Sequence, residues 1–170
     1  MNTVKILDTT ISETSINEVS NALNGRDSLK VAICNTNTVV RSYKDLNLSR
    51  VINSFDIKTP DGFPIAKSSS ILYKNNQRRV DGYNVFISTI RNGIDNNTSH
   101  YFFGSEEHIL KKLVTKLEYD FPNINIVGSY SPPIDSYQQL TQEKYINNIL
   151  DTKPDIVWVS LGFPKQELFI

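Results

Sequence analysis

Short apolar runs alternate with segments of helical periodicity along the whole chain. The apolar runs are three to five residues long, and most end at a glycine or a polar residue. Continuous apolar runs of this kind are typical of strands that are buried on both faces of a sheet. Strands are therefore predicted at residues 4–7, 29–33, 101–103, 124–127 and 156–159, with a further very short strand around Ile57.

Amphipathic segments separate these strands. Ser15 is placed to cap a helix that ends at Gly25, and Asp81 is placed to cap a helix of its own. Ser105 and Ser136 are predicted to begin two more helices, and short helices are predicted at 38–43 and 46–54. Strands that alternate with helices indicate βαβ units, so we predict a Rossmann-like α/β fold with a mainly parallel sheet flanked by helices.

The length of 170 residues fits one domain, and a single domain over residues 1–170 is predicted. The last residues, from Pro164 to Ile170, have the composition of a helix that is only beginning. An isolated helix of two turns is marginal in water. A further C-terminal segment is therefore expected beyond Ile170.

Charge and cysteine content narrow the classes of function. The 18 basic and 18 acidic residues give a net charge of zero, which disfavours general binding of nucleic acid. The one cysteine, Cys34, excludes an internal disulfide and a cysteine-based zinc site within one chain. The sequence also has no secretory signal and no apolar run of roughly 20 residues. A cytoplasmic location is the default expectation.

Five segments follow predicted strands and carry glycine or polar residues. Ligands of parallel α/β sheets bind beyond the carboxyl ends of the strands, where glycine lets the backbone approach and helix N-termini offer amides to phosphate. The alternative is that these glycines only make tight turns. The sequence lacks G-x-G-x-x-G after the first strand, a Walker A motif and D-x-D, which disfavours a dehydrogenase, a P-loop kinase and a metal-dependent sugar-nucleotide site. The five segments are 34–38, 60–62, 104–106, 128–130 and 162–167.

Asp61 and Arg79 each have two interpretations. Pro60-Asp61-Gly62 is a good turn sequence, but a carboxylate at a strand end could also take a proton from a hydroxyl group. Arg79 and its neighbour Arg78 are either an exposed basic pair or a clamp for phosphate. Local sequence leaves both choices open.

Taken together, the segments resemble the WecG/TagA/CpsF family of bacterial glycosyltransferases. The resemblance covers nearly the whole chain, and its most specific piece is the run from Leu161 to Glu167. The matching pieces are 31–38, 59–65, 79–83, 101–105, 121–128 and 153–167.

The resemblance implies an inverting glycosyltransferase that needs neither a metal ion nor a cofactor. It would move a sugar, such as N-acetylmannosamine or a related hexose derivative, from a UDP-sugar to a saccharide on a polyprenyl diphosphate. The product would enter teichoic acid, capsule or another exopolysaccharide. A segment beyond Ile170 would contact the inner face of the cell membrane, so the 170-residue form is expected to be weak or inactive in transfer; assembly into a homo-oligomer is left open.

The resemblance also assigns roles to residues. Asp61 aligns with the proposed catalytic base, and Arg79 with an arginine that would meet the charge of the leaving group. Relatives carry threonine at the position of Ile33, and Thr36 and Thr38 are the two candidates to replace its hydroxyl group. The candidates for substrate contact are Asn35, Thr38, Arg79, Gly104, Gln166 and Glu167.

Two other functions compete with this one. The first is a nucleotide-sugar-binding module without catalysis, or an inactive truncated member of the family. The second is a fragment whose role is assembly through an exposed apolar surface.

Overall fold

The computed structural model describes residues 1–25, 28–133 and 137–170. It confirms an α/β fold with parallel sheets flanked by helices. The chain divides into two compact units, Met1–Thr89 and Ile90–Ile170. The single domain over residues 1–170 stays a prediction. No helix in the described ranges is long and apolar enough to cross a membrane.

The first unit contains two small sheets. β1 and β2 form an antiparallel pair, whereas β3 and β4 form a parallel pair. Ser12 at the end of β2 accepts a hydrogen bond from the backbone N–H of Lys58 in β4 at 3.1 Å. The elements are β1 (Thr3–Ile6), β2 (Thr9–Ser12), α1 (Ile16–Leu23), β3 (Val31–Cys34), α2 (Thr36–Lys44), α3 (Leu46–Asn53), β4 (Ile57–Pro60), α4 (Phe63–Tyr73) and the first residues of α5 (Gly82–Gly93).

Local sequence explains where α1 begins. Ser15 accepts a hydrogen bond from the N–H of Glu18, and the Glu18 carboxylate accepts one from the N–H of Ser15. This reciprocal capping box satisfies two amides that a helix N-terminus leaves without partners. The helix then buries Val19 against Ile57, Val80 and Val85, which form one core cluster of the unit.

The second unit is a parallel three-stranded sheet with the order β6-β5-β7. Its central strand, β5, is buried at every position. The core cluster contains Phe103, Tyr101 and Leu140 together with two residues of α8, Tyr145 and Ile149. The elements are β5 (Ser99–Gly104), α6 (Glu107–Asp120), β6 (Asn125–Tyr130), α7 (Tyr137–Leu140), α8 (Glu143–Leu150), β7 (Ile156–Ser160) and α9 (Lys165–Phe169).

Three predictions for this unit are wrong. Ser105 has a φ of 63° and lies before Glu106, which is the residue that precedes α6. Gly128 does not end its strand, because β6 continues to Tyr130. A Cβ at Gly128 would lie 2.5 Å from the Tyr101 ring, so the glycine makes room for an aromatic side chain inside the sheet. The predicted single helix through Leu140 and Leu150 is two helices, α7 and α8, and its predicted start at Ser136 lies outside the described residues.

Two elements of the first unit escaped the sequence analysis. β2 is short and mostly polar, and it is stabilised by pairing with β1. α4 begins with Phe63-Pro64 and contains three consecutive serines, which obscure its periodicity. A proline in the first turn of a helix is tolerated because its missing N–H would have no partner there. Gly62 followed by Pro64 was therefore the signal for the start of α4.

Candidate active site

The carboxyl ends of β3 and β4 place two candidate residues next to each other. Cys34 pairs with Pro60 in the strand register, so Asn35 and Asp61 follow directly on adjacent strands. The N–H of Asp61 donates to the carbonyl of Cys34 and to that of Thr59, both at 3.0 Å. These two bonds fix the backbone that carries the Asp61 carboxylate.

The chain turns sharply after Asp61. Gly62 has a φ of 84°, a conformation that glycine adopts without steric cost, and α4 starts at the next residue. The carbonyl of Pro60 accepts a hydrogen bond from the N–H of Val80 at 3.1 Å. That bond holds the residues on either side of Val80 beside the end of β4.

Arg79 lies between two carboxylates. Its Nε donates to Oδ1 of Asp61 at 3.3 Å and lies 4.0 Å from Oδ2 of Asp81. The side chain of Arg79 is 58% exposed, whereas those of Asp61 and Asp81 are 19% and 12% exposed. The arrangement therefore presents an accessible guanidinium group above two partly buried acids. Arg79 is both exposed and paired with Asp61, so the exposed basic pair and the phosphate clamp both stay predictions.

Asp81 is confirmed as the cap of α5. Its Oδ1 accepts from the backbone N–H of Asn84 at 3.1 Å, and its Oδ2 accepts from the Asn84 side chain at 2.8 Å. Burial tends to raise the pKa of the Asp81 carboxyl, but the hydrogen bonds from Asn84 and the charge of Arg79 outweigh burial and lower the pKa. Asn84 is a positioning residue that the sequence analysis missed.

Asn35 is the N-cap of α2. Its Oδ1 accepts from the N–H of Thr38 at 3.1 Å, and the Thr38 hydroxyl group lies 3.4 Å from the same oxygen. Because Oδ1 of Asn35 is engaged in the cap, the Nδ2 group of Asn35 is the part that would donate a hydrogen bond to a ligand. Thr38 is buried and supports this cap. Contact of either residue with substrate stays a prediction.

Ile33 faces the start of α5. A Cβ built at Gly82 would lie 3.5 Å from both Cγ atoms of Ile33, which is ordinary van der Waals contact. Its register partner on β4 is Thr59, whose hydroxyl group is buried and has no hydrogen-bond partner among the described residues. Ile33 thus supplies an apolar surface beneath Gly82 at the position where the family resemblance leads one to expect a hydroxyl group.

In the second unit, Gly104 lies at the end of β5 against β7. It has a φ of 114°, and a Cβ there would lie 2.2 Å from the carbonyl oxygen of Ser160. The next residue, Ser105, donates its N–H to that same oxygen at 2.7 Å. The close approach of two strands explains the glycine, and a role of Gly104 in substrate binding stays a prediction.

Gln166 and Glu167 form a contact at the start of α9. Nε2 of Gln166 donates to Oε1 of Glu167 at 3.0 Å. Glu167 is 4% exposed, and no described residue forms a hydrogen bond with its Oε2. Burial raises the pKa of Glu167, although the bond from Gln166 partly offsets that effect. Convergence of Gln166 with the residues of the first unit stays a prediction.

Within the described ranges, no group of three or more His, Cys, Asp and Glu side chains is arranged to hold a metal ion. Metal independence stays a prediction that activity assays must test.

The fold and the site together define a class of α/β protein. A carboxylate, a guanidinium group and the N-termini of helices lie beyond the carboxyl ends of two parallel strands, which is where α/β proteins bind their ligands. The chain belongs to the glycosyl transferase WecG/TagA/CpsF family, whose sequence model matches residues 4–170.

Several bacterial enzymes are similar to this chain, and three of them share the name N-acetylglucosaminyldiphosphoundecaprenol N-acetyl-beta-D-mannosaminyltransferase. The one from Bacillus spizizenii is 33% identical over 71% of this chain and 45% of its own length. The one from Bacillus subtilis is 30% identical over 82% and 53%. The one from Staphylococcus aureus is 25% identical over 81% and 50%. The chain spans about half the length of the curated relatives it matches.

Proposed function

We propose that this chain is the core of an inverting glycosyltransferase. It moves a sugar, N-acetylmannosamine or a related hexose derivative, from a UDP-sugar to a saccharide on a polyprenyl diphosphate at the inner face of the cell membrane. The observation that carries the proposal is the Asp61 carboxylate, fixed at the end of β4 and paired with Arg79 at 3.3 Å. The family match and the names of the relatives support the same reaction class.

In the proposed reaction Asp61 acts as the general base. An acceptor hydroxyl oxygen attacks the anomeric carbon of the donor from the face opposite UDP, and its proton passes to the Asp61 carboxylate. A new carbon–oxygen bond forms while the bond to the UDP oxygen breaks and UDP departs with the electron pair. The logic is that of an inverting glycosidase in which a sugar hydroxyl group replaces water.

Arg79 has two tasks in this proposal. Its Nε orients Asp61 through the observed bond, and its exposed guanidinium group can meet the negative charge that develops on the diphosphate. Asn35 donates to donor or acceptor through Nδ2. Substrate contact by Gln166 and by Glu167 is proposed on the family resemblance alone.

The test is a transfer assay with a panel of UDP-sugars and a short-chain lipid diphosphate acceptor. Asp61→Asn keeps the size of the side chain but removes its basicity, so kcat should fall by about 100-fold or more. Asp8→Asn is the matched control, since Asp8 lies in the turn between β1 and β2, where its partner is Lys5. A wild-type rate for Asp61→Asn would refute the assignment of the base.

Calorimetry with UDP separates catalysis from binding alone. The enzyme hypothesis expects UDP to bind both wild type and Asp61→Asn, with transfer lost only in the variant. Binding of UDP without transfer, also in a chain that includes the remainder of the family length, would instead favour the nucleotide-sugar-binding module.

A further inference from the structure

Arg79 lies in the α4–α5 connection, residues 74–81, which forms neither helix nor strand. Its side chain is 58% exposed and reaches Asp61 at 3.3 Å. An ion pair at such an exposed position contributes little to holding a chain in place, because water and salt screen the two charges. The position of Arg79 beside Asp61 therefore depends on contacts made elsewhere in the connection.

The connection starts from a fixed point at the end of α4. The Tyr73 hydroxyl group accepts from the N–H of Lys5 at 3.1 Å and donates to its carbonyl at 2.7 Å, which ties the last residue of the helix to β1. Two positions on, Nδ2 of Asn75 donates to the Ser69 hydroxyl group at 3.0 Å and to the Glu13 carboxylate. The first residues of the connection are thus bonded to α4 and to the chain that follows β2.

Gln77, in the middle of the connection, bonds through its backbone and its side chain alike. Its Oε1 accepts from the N–H of Thr14 at 3.0 Å, and its Nε2 donates to the carbonyl of Thr14 at 2.6 Å and to that of Arg78 at 2.7 Å. The Gln77 N–H donates to Oδ1 of Asn75, and its carbonyl accepts from the Ser70 hydroxyl group, both at 3.3 Å. The side-chain amide therefore bonds both backbone groups of Thr14, as a residue of a neighbouring antiparallel strand would.

Thr14 is a rigid anchor for this amide. It is 8% exposed and directly precedes Ser15, which caps α1. On its other side, the N–H of Glu13 donates to the carbonyl of Asn2 at 2.9 Å, next to β1. Because both neighbours of Thr14 are held, its two bonds with Gln77 fix the connection to the corner between β2 and α1.

We propose that Gln77 is a positioning residue for Arg79. Arg79 lies between two anchors of the backbone, the amide of Gln77 and the bond from Val80 to Pro60 at 3.1 Å. Without the amide only the anchor at Val80 remains, and the guanidinium group loses its fixed place opposite Asp61. The effect on transfer rests on the proposed function, whereas the placement of Arg79 can be measured without any reaction.

The Nε–H signal of Arg79 in a nitrogen-15 NMR spectrum tests the placement directly. Arg79→Lys identifies the signal by removing it. In Gln77→Ala the signal should move towards that of arginine in an unstructured peptide, because the bond from Nε to Asp61 is formed less often. Asn76→Ala, at the exposed neighbouring position, is the matched control and should leave the signal in place. An unmoved signal in Gln77→Ala would overturn the proposal.

Transfer kinetics test the consequence for the reaction. In the proposed function Arg79 meets charge that develops in the transition state, so its misplacement should lower kcat and leave KM for the UDP-sugar nearly unchanged. For Gln77→Ala we expect kcat to fall roughly tenfold or more, since small displacements of a catalytic group are costly. Asn76→Ala should keep the wild-type kcat. A raised KM with an unchanged kcat in Gln77→Ala would contradict the proposal.

A double-mutant cycle separates positioning from general stabilisation. If Gln77 acts through Arg79, adding Gln77→Ala to Arg79→Ala should change kcat by less than about twofold. General destabilisation would instead lower kcat by the same factor in both backgrounds, which would overturn the proposal. Gln77→Met fills similar space without the amide and should lose as much as Gln77→Ala; a wild-type kcat in Gln77→Met would show that the amide is not needed. Circular dichroism checks that each variant folds.

The two hypotheses fail in different ways. If the wild-type protein transfers no sugar, the proposed function is wrong, and the NMR comparison still decides whether Gln77 places Arg79. If transfer proceeds and Gln77→Ala keeps the wild-type kcat, the positioning proposal is wrong, while the assignment of Asp61 as the base is decided separately by Asp61→Asn.

Discussion

Two glycines of this chain differ in whether a larger side chain would fit in their place. Gly104 combines a φ of 114° with a backbone oxygen, that of Ser160, 2.2 Å from any Cβ. Gly82 has an ordinary conformation, and its Cβ would meet only the side chain of Ile33, at 3.5 Å, which is an ordinary van der Waals distance. Both glycines lie in segments that match the family, but only the structure separates the two cases.

We therefore expect Gly104→Ala to lower the free energy of unfolding by about 2 kcal/mol or more, since the backbone must shift to relieve the clash. Gly82→Ala should change stability by about 0.5 kcal/mol or less. Chemical denaturation of the two variants measures both values. Equal stability of the two would show that the strand contact at Gly104 yields more easily than the distances indicate.

Single residues also show which contacts can be predicted from sequence and which cannot. Asp81 is identifiable as a helix cap because local sequence contains the whole signal: a carboxylate three residues before an amide. The bond between Asp61 and Arg79 joins residues that are 18 positions apart, so it depends on the path of the intervening chain. The prediction for Ser105 is wrong because its φ of 63° is set by the approach of β7 rather than by its own preference.

At the level of elements, α5 depends on its cap. Asp81→Ala removes the acceptor for the Asn84 amide and should lower the free energy of unfolding by roughly 1–2 kcal/mol. Asp81→Asn keeps a side-chain oxygen for that amide and should cost less. Denaturant titration compares the two, and an equal loss in both variants would mean that the charge next to Arg79, which both variants remove, matters more than the cap.

Strands and helices with strong patterns were predicted well, and weakly patterned ones were not. The β-branched and aromatic runs of β5 and β7 carry their own signal. β2 has only one large apolar residue, Ile11, and is defined by its partner strand. α4 exposes Phe63, Ile71 and Leu72 and buries Ser69, so it lacks the alternation that identifies a surface helix.

At the level of the whole molecule, the sequence indicated the α/β class, because the alternation of elements is a property of the entire chain. The division at Thr89 and Ile90 lies inside the continuous helix α5, where composition gives no sign of a boundary.

Stability should depend on pH through a buried histidine of the second unit. His100 is 1% exposed, and its Nδ1 accepts a hydrogen bond from Nε1 of Trp158 at 3.2 Å. Burial lowers its pKa from 6.5 to about 4, against a smaller opposing effect of Asp155. A depressed pKa means that the unfolded chain binds the proton more readily. The stability from the neutral ring is thus complete above pH 6.5 and is lost as the pH falls towards 4.

We expect this one residue to account for about 3 kcal/mol of lost stability over that interval. His100→Gln should remove that part of the pH dependence, whereas His108→Gln, at an exposed position, should retain it. Trp158 is the single tryptophan and lies beside His100, so its fluorescence during denaturant titration reports on the unfolding of the second unit. An unchanged pH profile in His100→Gln would contradict the prediction.

The bond between Tyr73 and Lys5 has a consequence for the solubility of the protein. Among the described residues β1 pairs with β2 alone, so the backbone groups of its other edge could receive another strand. The Tyr73 hydroxyl group occupies both the N–H and the carbonyl of Lys5 on that edge. One phenol at the end of α4 thus blocks the middle of an open strand edge, and it protects the chain from the edge-to-edge association through which sheets aggregate.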